Sequence, residues 1–161
     1  MDIGLLFADS ALQKATALNF KTALASAHDN IGTINWYQGN YPIALNNYLS
    51  ALKIRDYLNN ESFKAVSYNN IGMVYLYQGN FAEAIVYYNK ALQIFQKRYA
   101  INNKDVRNLN GLAAAHNNIG NVYYSMGKQD SALQSFFLSL KIRQEIGEKQ
   151  GIAASYNNIA I

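Results

Sequence analysis

Histidine and carboxylate are the side chains here most able to bind a divalent metal or move a proton near neutral pH. The chain has two histidines, His28 and His116, and ten carboxylates: Asp2, Asp9, Asp29, Asp56, Glu61, Glu83, Asp105, Asp130, Glu145 and Glu148. Such chemistry needs these groups clustered, or spaced so that one helix face presents two at once. The carboxylates are scattered, and no metal-ligand spacing occurs. The histidines hold equivalent places in two units with another unit between them. At about 10 Å per helix pair they stand too far apart to share a metal or a proton. Packing, or a hydrogen bond between helices, is the role expected of each. Cysteine is absent, which removes disulfides, thiolate metal sites and a cysteine nucleophile. The glycines lie between helical segments and form no phosphate-cradling loop. No enzyme activity, no metal and no cofactor are expected.

Asparagine is the second candidate. The chain writes one line four times: HDNIG at 28–32, YNNIG at 68–72, HNNIG at 116–120 and YNNIA at 156–160. Asparagine is a middling helix former that prefers caps, so pairs of it inside four helices suggest another use. An amide offers both a donor and an acceptor and so matches a peptide bond. A ladder of amides can hold an extended backbone without reading its side chains. The competing role is structural, one asparagine of each pair bonding across to the backbone of the neighbouring unit.

The elements that position these residues follow from the repeat. With Ala25 as position 1, units begin at Ala65, Ala113 and Ala153, at spacings of 40, 48 and 40. Position 7 is Ile31, Ile71, Ile119 and Ile159; position 8 is Gly32, Gly72, Gly120 and Ala160. Position 15 is Gly39, Gly79 and Gly127; position 20 is Ala44, Ala84 and Ala132. Position 24 is Tyr48, Tyr88 and Phe136; position 27 is Ala51, Ala91 and Ser139. Small residues let two helices approach, and the aromatics fill the space between them. The glycines at position 15 end a first helix with a residue that tolerates positive φ. Asn40 and Asn80 are suited to cap the second helix, and Pro42 and Glu83 to its first turn. Helical periodicity runs through Ala84, Tyr88, Ala91, Leu92 and Phe95, and no useful stretch alternates with period two. The expectation is two antiparallel helices per unit and an all-α solenoid, whose units stack to build a core and share one continuous surface.

The expected divisions are a second-helix half repeat at 1–24, repeats at 25–64, 65–112 and 113–152, and a first-helix half repeat at 153–161. The eight extra residues of the second repeat fall within 98–112. Tyr99–Ile101 is expected to continue a helix and Asn102–Asn110 to form a longer loop, either a tolerated insertion or a contact for a neighbouring domain. Half repeats at both ends suggest a segment of a longer protein.

Small residues at positions 8, 20 and 27 with aromatics near 11 and 24 resemble the tetratricopeptide repeat family. The unit departs from it in length, 40 residues where 34 is usual, and in lacking the proline that ends the second helix. Long units opening Asn-Asn-Ile-Gly look like those of kinesin light chain, G-protein-signalling modulators, and bacterial sensor kinases and adenylate cyclases. The resemblance implies a right-handed superhelix of helix pairs and a non-catalytic protein-binding scaffold, the sensory or regulatory part of a larger, bacterial signalling protein. It also implies that positions 2, 5, 6, 9, 12 and 13 of each first helix line a concave groove, and that position-6 asparagines clamp a peptide. The residues so placed are Asn30, Asn69, Asn70, Asn117, Asn118, Asn121, Asn157 and Asn158, with Trp36, Tyr37, Met73, Tyr77 and Tyr124. Amides and aromatics with few charges suit an uncharged or mixed peptide. Position 2 reads Ser26, Val66, Ala114 and Ala154, which leaves no clamp for an acidic tail.

Charge narrows the partners. The 161 residues carry a net charge of +4 with 15% charged, too little in the groove to neutralise phosphates, so single-stranded RNA is a remote alternative. The pairs Lys53/Arg55, Lys97/Arg98 and Lys141/Arg143 recur late in each second helix, where cations meet the negative helix end. No apolar run approaches a membrane span, and Met1–Ala8 is too short for a signal peptide. A cytoplasmic location is expected, or a periplasmic one if the parent is a membrane-anchored sensor. The second alternative function is self-assembly. Apolar side chains of Met1–Leu24 and Ala153–Ile161 are unlike surfaces, which would join head to tail.

Overall fold

The structure, a computed structural model, describes residues 3–160. Among them are eight helices and no strand, in two compact units, Met1–Gly79 and Asn80–Ile161. The first unit holds α1 (Ile3–Ala17), α2 (Lys21–Tyr37), α3 (Tyr41–Tyr57) and α4 (Glu61–Tyr77). The second holds α5 (Phe81–Ile101), α6 (Val106–Ser125), α7 (Gln129–Ile146) and α8 (Lys149–Ile159). In each unit every helix packs on the next, α1 on α2 on α3 on α4, and α5 on α6 on α7 on α8. Short connections make neighbours antiparallel. Expectations resting on Met1, Asp2 and Ile161 lie outside the described residues.

The repeat glycines do two jobs. Gly39, Gly79 and Gly127 have φ of 75°, 76° and 72°, the left-handed conformation that stops a first helix. Gly32 and Gly120 instead make room. A Cβ on Gly32 would stand 2.8 Å from the Tyr48 ring, and one on Gly120 would stand 2.5 Å from that of Phe136. Position 8 thus receives the position-24 aromatic of the same helix pair, in α2–α3 and in α6–α7. Asn40 and Asn80 stand at the N-caps of α3 and α5, yet neither side chain accepts a capping bond. The Asn40 amide donates instead to Gln38 Oε1 at 3.3 Å. Side-chain caps come from Asn60 on α4 and Asp105 on α6.

The junction between one pair and the next is built from position 31, late in the second helix, and position 3, early in the following first helix. At α3–α4 buried Arg55 grips Asp29 with both terminal nitrogens and donates to the buried Ser67 hydroxyl at 2.5 Å. Its guanidinium also lies 5.3 Å from the centre of the Phe63 ring. At α7–α8 Arg143 donates to the Gly151 carbonyl at 2.7 Å and to the Ser155 hydroxyl at 3.0 Å. At α5–α6 the position is Phe95, its partner Ala115 is buried, and Gly111 leaves space for the ring. At α1–α2 Ala15 and Ala27 stand there, both buried. Arginine goes with serine and an apolar residue with alanine. Arg55 and Arg143 therefore do not simply face a helix end, as charge spacing suggested; each reaches into the next helix.

The 48-residue spacing resolves differently from the loop expected at Asn102–Asn110. Relative to the α3–α4 hairpin, four extra residues lengthen α5, three lengthen α6 and one lengthens the connection, now Asn102–Asp105. Asp105 starts the helix early by accepting the Arg107 amide at 3.0 Å. Buried Asn108 donates to the Phe95 carbonyl at 3.0 Å, while Leu109 and Leu112 are buried beside it. Polar composition suggested a loop; burying one face of this stretch makes it helix.

Candidate functional site

In the first unit the sequence-selected residues lie on α2 and α4. Trp36 contacts Tyr37 and Tyr77 edge-on, ring centres 4.8 and 5.2 Å apart, and Tyr41 adds a ring 6.1 Å from Tyr77. Tyr37 and Tyr77 are exposed, whereas the indole Nε1 of Trp36 is enclosed with no acceptor. The result is an aromatic patch where α2 and α4 end, open on the tyrosine side. Asn30 is exposed; Asn69, Asn70 and Met73 are half-buried. The Asn69 Oδ1 is enclosed without a hydrogen-bond partner.

In the second unit the residues lie on α6 and α8. Asn158 donates to Asn117 Oδ1 at 2.8 Å, so these two amides bind each other across the helices. Asn118 and Asn121 are half-buried, and Asn157 and Tyr124 are exposed. Tyr124, Phe136, Asn158 and Ile159 border a shallow cleft of about 130 Å³. The expected residues thus gather on first helices within each unit: amides and aromatics in equal number in the first, mostly amides in the second.

The titratable groups are structural in their surroundings. His28 Nδ1 meets Asn47 Oδ1 at 3.0 Å across α2–α3. Burial pulls the His116 imidazole below its ordinary value. Burial also pushes the Asp29 carboxyl up, with the hydrogen bond and charge of Arg55 pulling it back. Lys64 is held protonated well above the ordinary lysine range by bonds to Glu61 and Asp56. Among the described residues no group of three His, Cys, Asp or Glu is placed to hold a metal, and no helix is long and apolar enough to cross a membrane.

Two family models match the chain, both described as tetratricopeptide repeat, over residues 22–97 and 112–146, together more than half of it. The chain belongs to the tetratricopeptide repeat family. The crystal structure of BtubC (BKLC) from P. vanneervenii is similar at 20% identity and a TM-score of 0.78, over 97% of this chain and 63% of that one. The chain therefore spans less than two thirds of the length of that protein. The N-terminal domain of stress-induced protein-1 (STI-1) from C. elegans is similar at 21% identity and a TM-score of 0.60, over 86% of this chain and 96% of that one. No curated protein matches significantly. At these identities the likeness concerns the fold, the all-α solenoid class of antiparallel helix pairs.

A tetratricopeptide repeat is in general a non-catalytic protein-interaction element, and a protein-interaction scaffold is the function this assignment supports. Sequence reasoning missed four residues of this tetratricopeptide chain. Tyr41, on α3, completes the aromatic patch. Buried Asn35, one residue before Trp36, turns its amide onto the Ile31 carbonyl at 2.9 Å. Asn19 and Asn59, with φ of 49° and 51°, follow α1 and α3 in the left-handed conformation that glycine takes after the first helices. An asparagine pair at 59–60 was the available signal for that turn.

Proposed function

We propose that the chain binds an extended, uncharged or mixed peptide segment on the first-helix faces that carry the paired asparagines, as the regulatory region of a larger signalling protein. The observation that carries this reading is the patch formed by Trp36, Tyr37 and Tyr77 beside the amides of α4. Two exposed tyrosines against a fixed indole supply rigid contact area at small entropic cost. Neighbouring amides supply donors and acceptors for a peptide backbone. The long-unit resemblance supports the signalling context and a cytoplasmic setting.

The test begins with a peptide selected on the chain from a display library. Asn70→Ala and Asn118→Ala should each weaken its binding by about 1–3 kcal/mol, the cost of a lost amide contact, with thermal melts near the parent. Calorimetric titration reads the first and circular dichroism the second. Melts that collapse in both variants would show that these asparagines are structural.

A second reading, end-to-end self-assembly, is favoured by one observation: α1 leaves Ile3, Leu6 and Phe7 exposed. Light scattering over a hundredfold concentration range separates the two. A mass that stays monomeric excludes assembly in dilute solution.

A further inference from the structure

The lengthened α5–α6 hairpin carries a charge that the rest of the chain lacks. Residues 97–107 hold Lys97, Arg98, Lys104 and Arg107 against the single carboxylate of Asp105, a net +3 out of the +4 of the whole chain. The extra residues form an ordered tip. Asp105 caps α6, and Asn102 Oδ1 accepts the Lys104 amide at 3.1 Å. Asn108, Leu109 and Leu112 anchor the base in the α5–α6 interface. Arg98 and Arg107 approach the same carboxylate, each with a nitrogen 3.7 Å from Asp105. One carboxylate beside two guanidiniums leaves an excess positive charge, and the Arg107 side chain is 93% exposed. Beside it Ile101 is 87% and Val106 53% exposed, two apolar residues at the tip of a basic projection.

We propose that this tip is a second docking surface, separate from the asparagine-bearing faces, and that it takes an acidic polypeptide segment with an apolar residue among its carboxylates. Charge complementarity selects the occupant. Guanidiniums recognise carboxylates through paired, planar hydrogen bonds, the chemistry Arg55 and Asp29 already display within the chain. Four cations at a projecting tip also speed encounter with an anionic partner. Ile101 and Val106 then receive the apolar side chain. Extension by about one helical turn in α5, roughly 6 Å, carries the tip beyond the length of its shorter counterparts.

The probe is a fluorescein-labelled 15-residue peptide of glutamates with leucine at every fourth place, read by anisotropy against the whole chain. Saturable binding should weaken several-fold between 50 and 300 mM salt, as expected for exposed charges. The double substitution Lys104→Glu with Arg107→Glu should weaken it at least tenfold. Lys53→Glu with Lys141→Glu, exposed cations elsewhere, should leave it within twofold. Ile101→Ser should weaken binding by a few-fold without changing the salt dependence. A melt near the parent checks each fold; if the double variant melts early, Lys104→Glu alone is measured. No saturable binding, or equal loss in the two double variants, overturns the proposal. So does uptake by vesicles one third phosphatidylserine with no peptide binding, which would identify a lipid surface instead. Groove binding by the display-selected peptide is indifferent to all of these outcomes.

Discussion

The α3–α4 and α5–α6 junctions occupy the same place in the repeat and are held by opposite chemistry. At α3–α4 a buried guanidinium joins three helices, through Asp29 on α2 and Ser67 on α4. At α5–α6 a phenyl ring fills the position, Ala115 replaces the serine, and Gly111 stands where α4 has Phe63. The difference teaches that one place in the repeat can be filled by a polar set or an apolar set, whose residue types change together. It also shows where the chain tolerates growth. The apolar junction carries the lengthened hairpin, whose base is held by Phe95 against Gly111 together with buried Asn108, Leu109 and Leu112.

The largest expected effect breaks the polar junction. Arg55→Ala leaves Asp29 and Ser67 facing each other without the cation and should cost about 3–5 kcal/mol in urea unfolding. Replacing Asp29, Arg55 and Ser67 together by Leu, Met and Ala should recover most of that loss, since apolar residues of like volume often substitute for a buried ion pair. A triple variant as unstable as Arg55→Ala would end the idea that the two junctions are interchangeable solutions.

Arg143→Ala sharpens the comparison, because at α7–α8 the arginine meets a carbonyl and a hydroxyl, with Glu148 no nearer than 3.9 Å. No enclosed carboxylate is stranded there, so a smaller loss is expected, about 1.5–3 kcal/mol. A cost equal to that of Arg55→Ala would assign the energy to the hydroxyl and not to the ion pair.

At the apolar junction Gly111→Leu should destabilise by about 1–3 kcal/mol through overpacking. Even a Cβ there would come within 2.3 Å of the Phe95 ring. Adding Phe95→Ala should relieve part of the strain. A melt of Gly111→Leu matching the parent would show that the ring can move aside.

The smallest effect is a pH dependence confined to the second unit. The folded His116 imidazole titrates below its ordinary value because it is buried. The unfolded chain then takes up the proton first. The contribution is full above about pH 6.5, the unfolded value, and is lost as pH falls through the depressed folded value. Unfolding midpoints should drop between pH 7.5 and 5.5, and His116→Phe should flatten that drop.

Much of the fold was legible because it is written locally and repeatedly. Glycine at position 15 stops a helix by its own backbone freedom, and small residues at 8 and 20 announce close helices wherever they recur. The error at 102–110 has a plain cause. Asn102, Asn103, Asn108 and Asn110 have the composition of a loop, and only packing against α5 buries Asn108 and Leu109 and extends the helix. The site residues were chosen by position, so the sequence selected faces without showing contacts. It did not reveal that Asn117 and Asn158, on different helices, spend their amides on each other.

By itself, then, the sequence determined the helical unit and the pairing of its helices, since both depend on spacing along one chain. The tertiary structure decided which arginines are buried, which amides remain available and where the insertion projects. Those outcomes depend on partners 12, 26 or 41 residues away, brought together only when neighbouring helices exclude water between them.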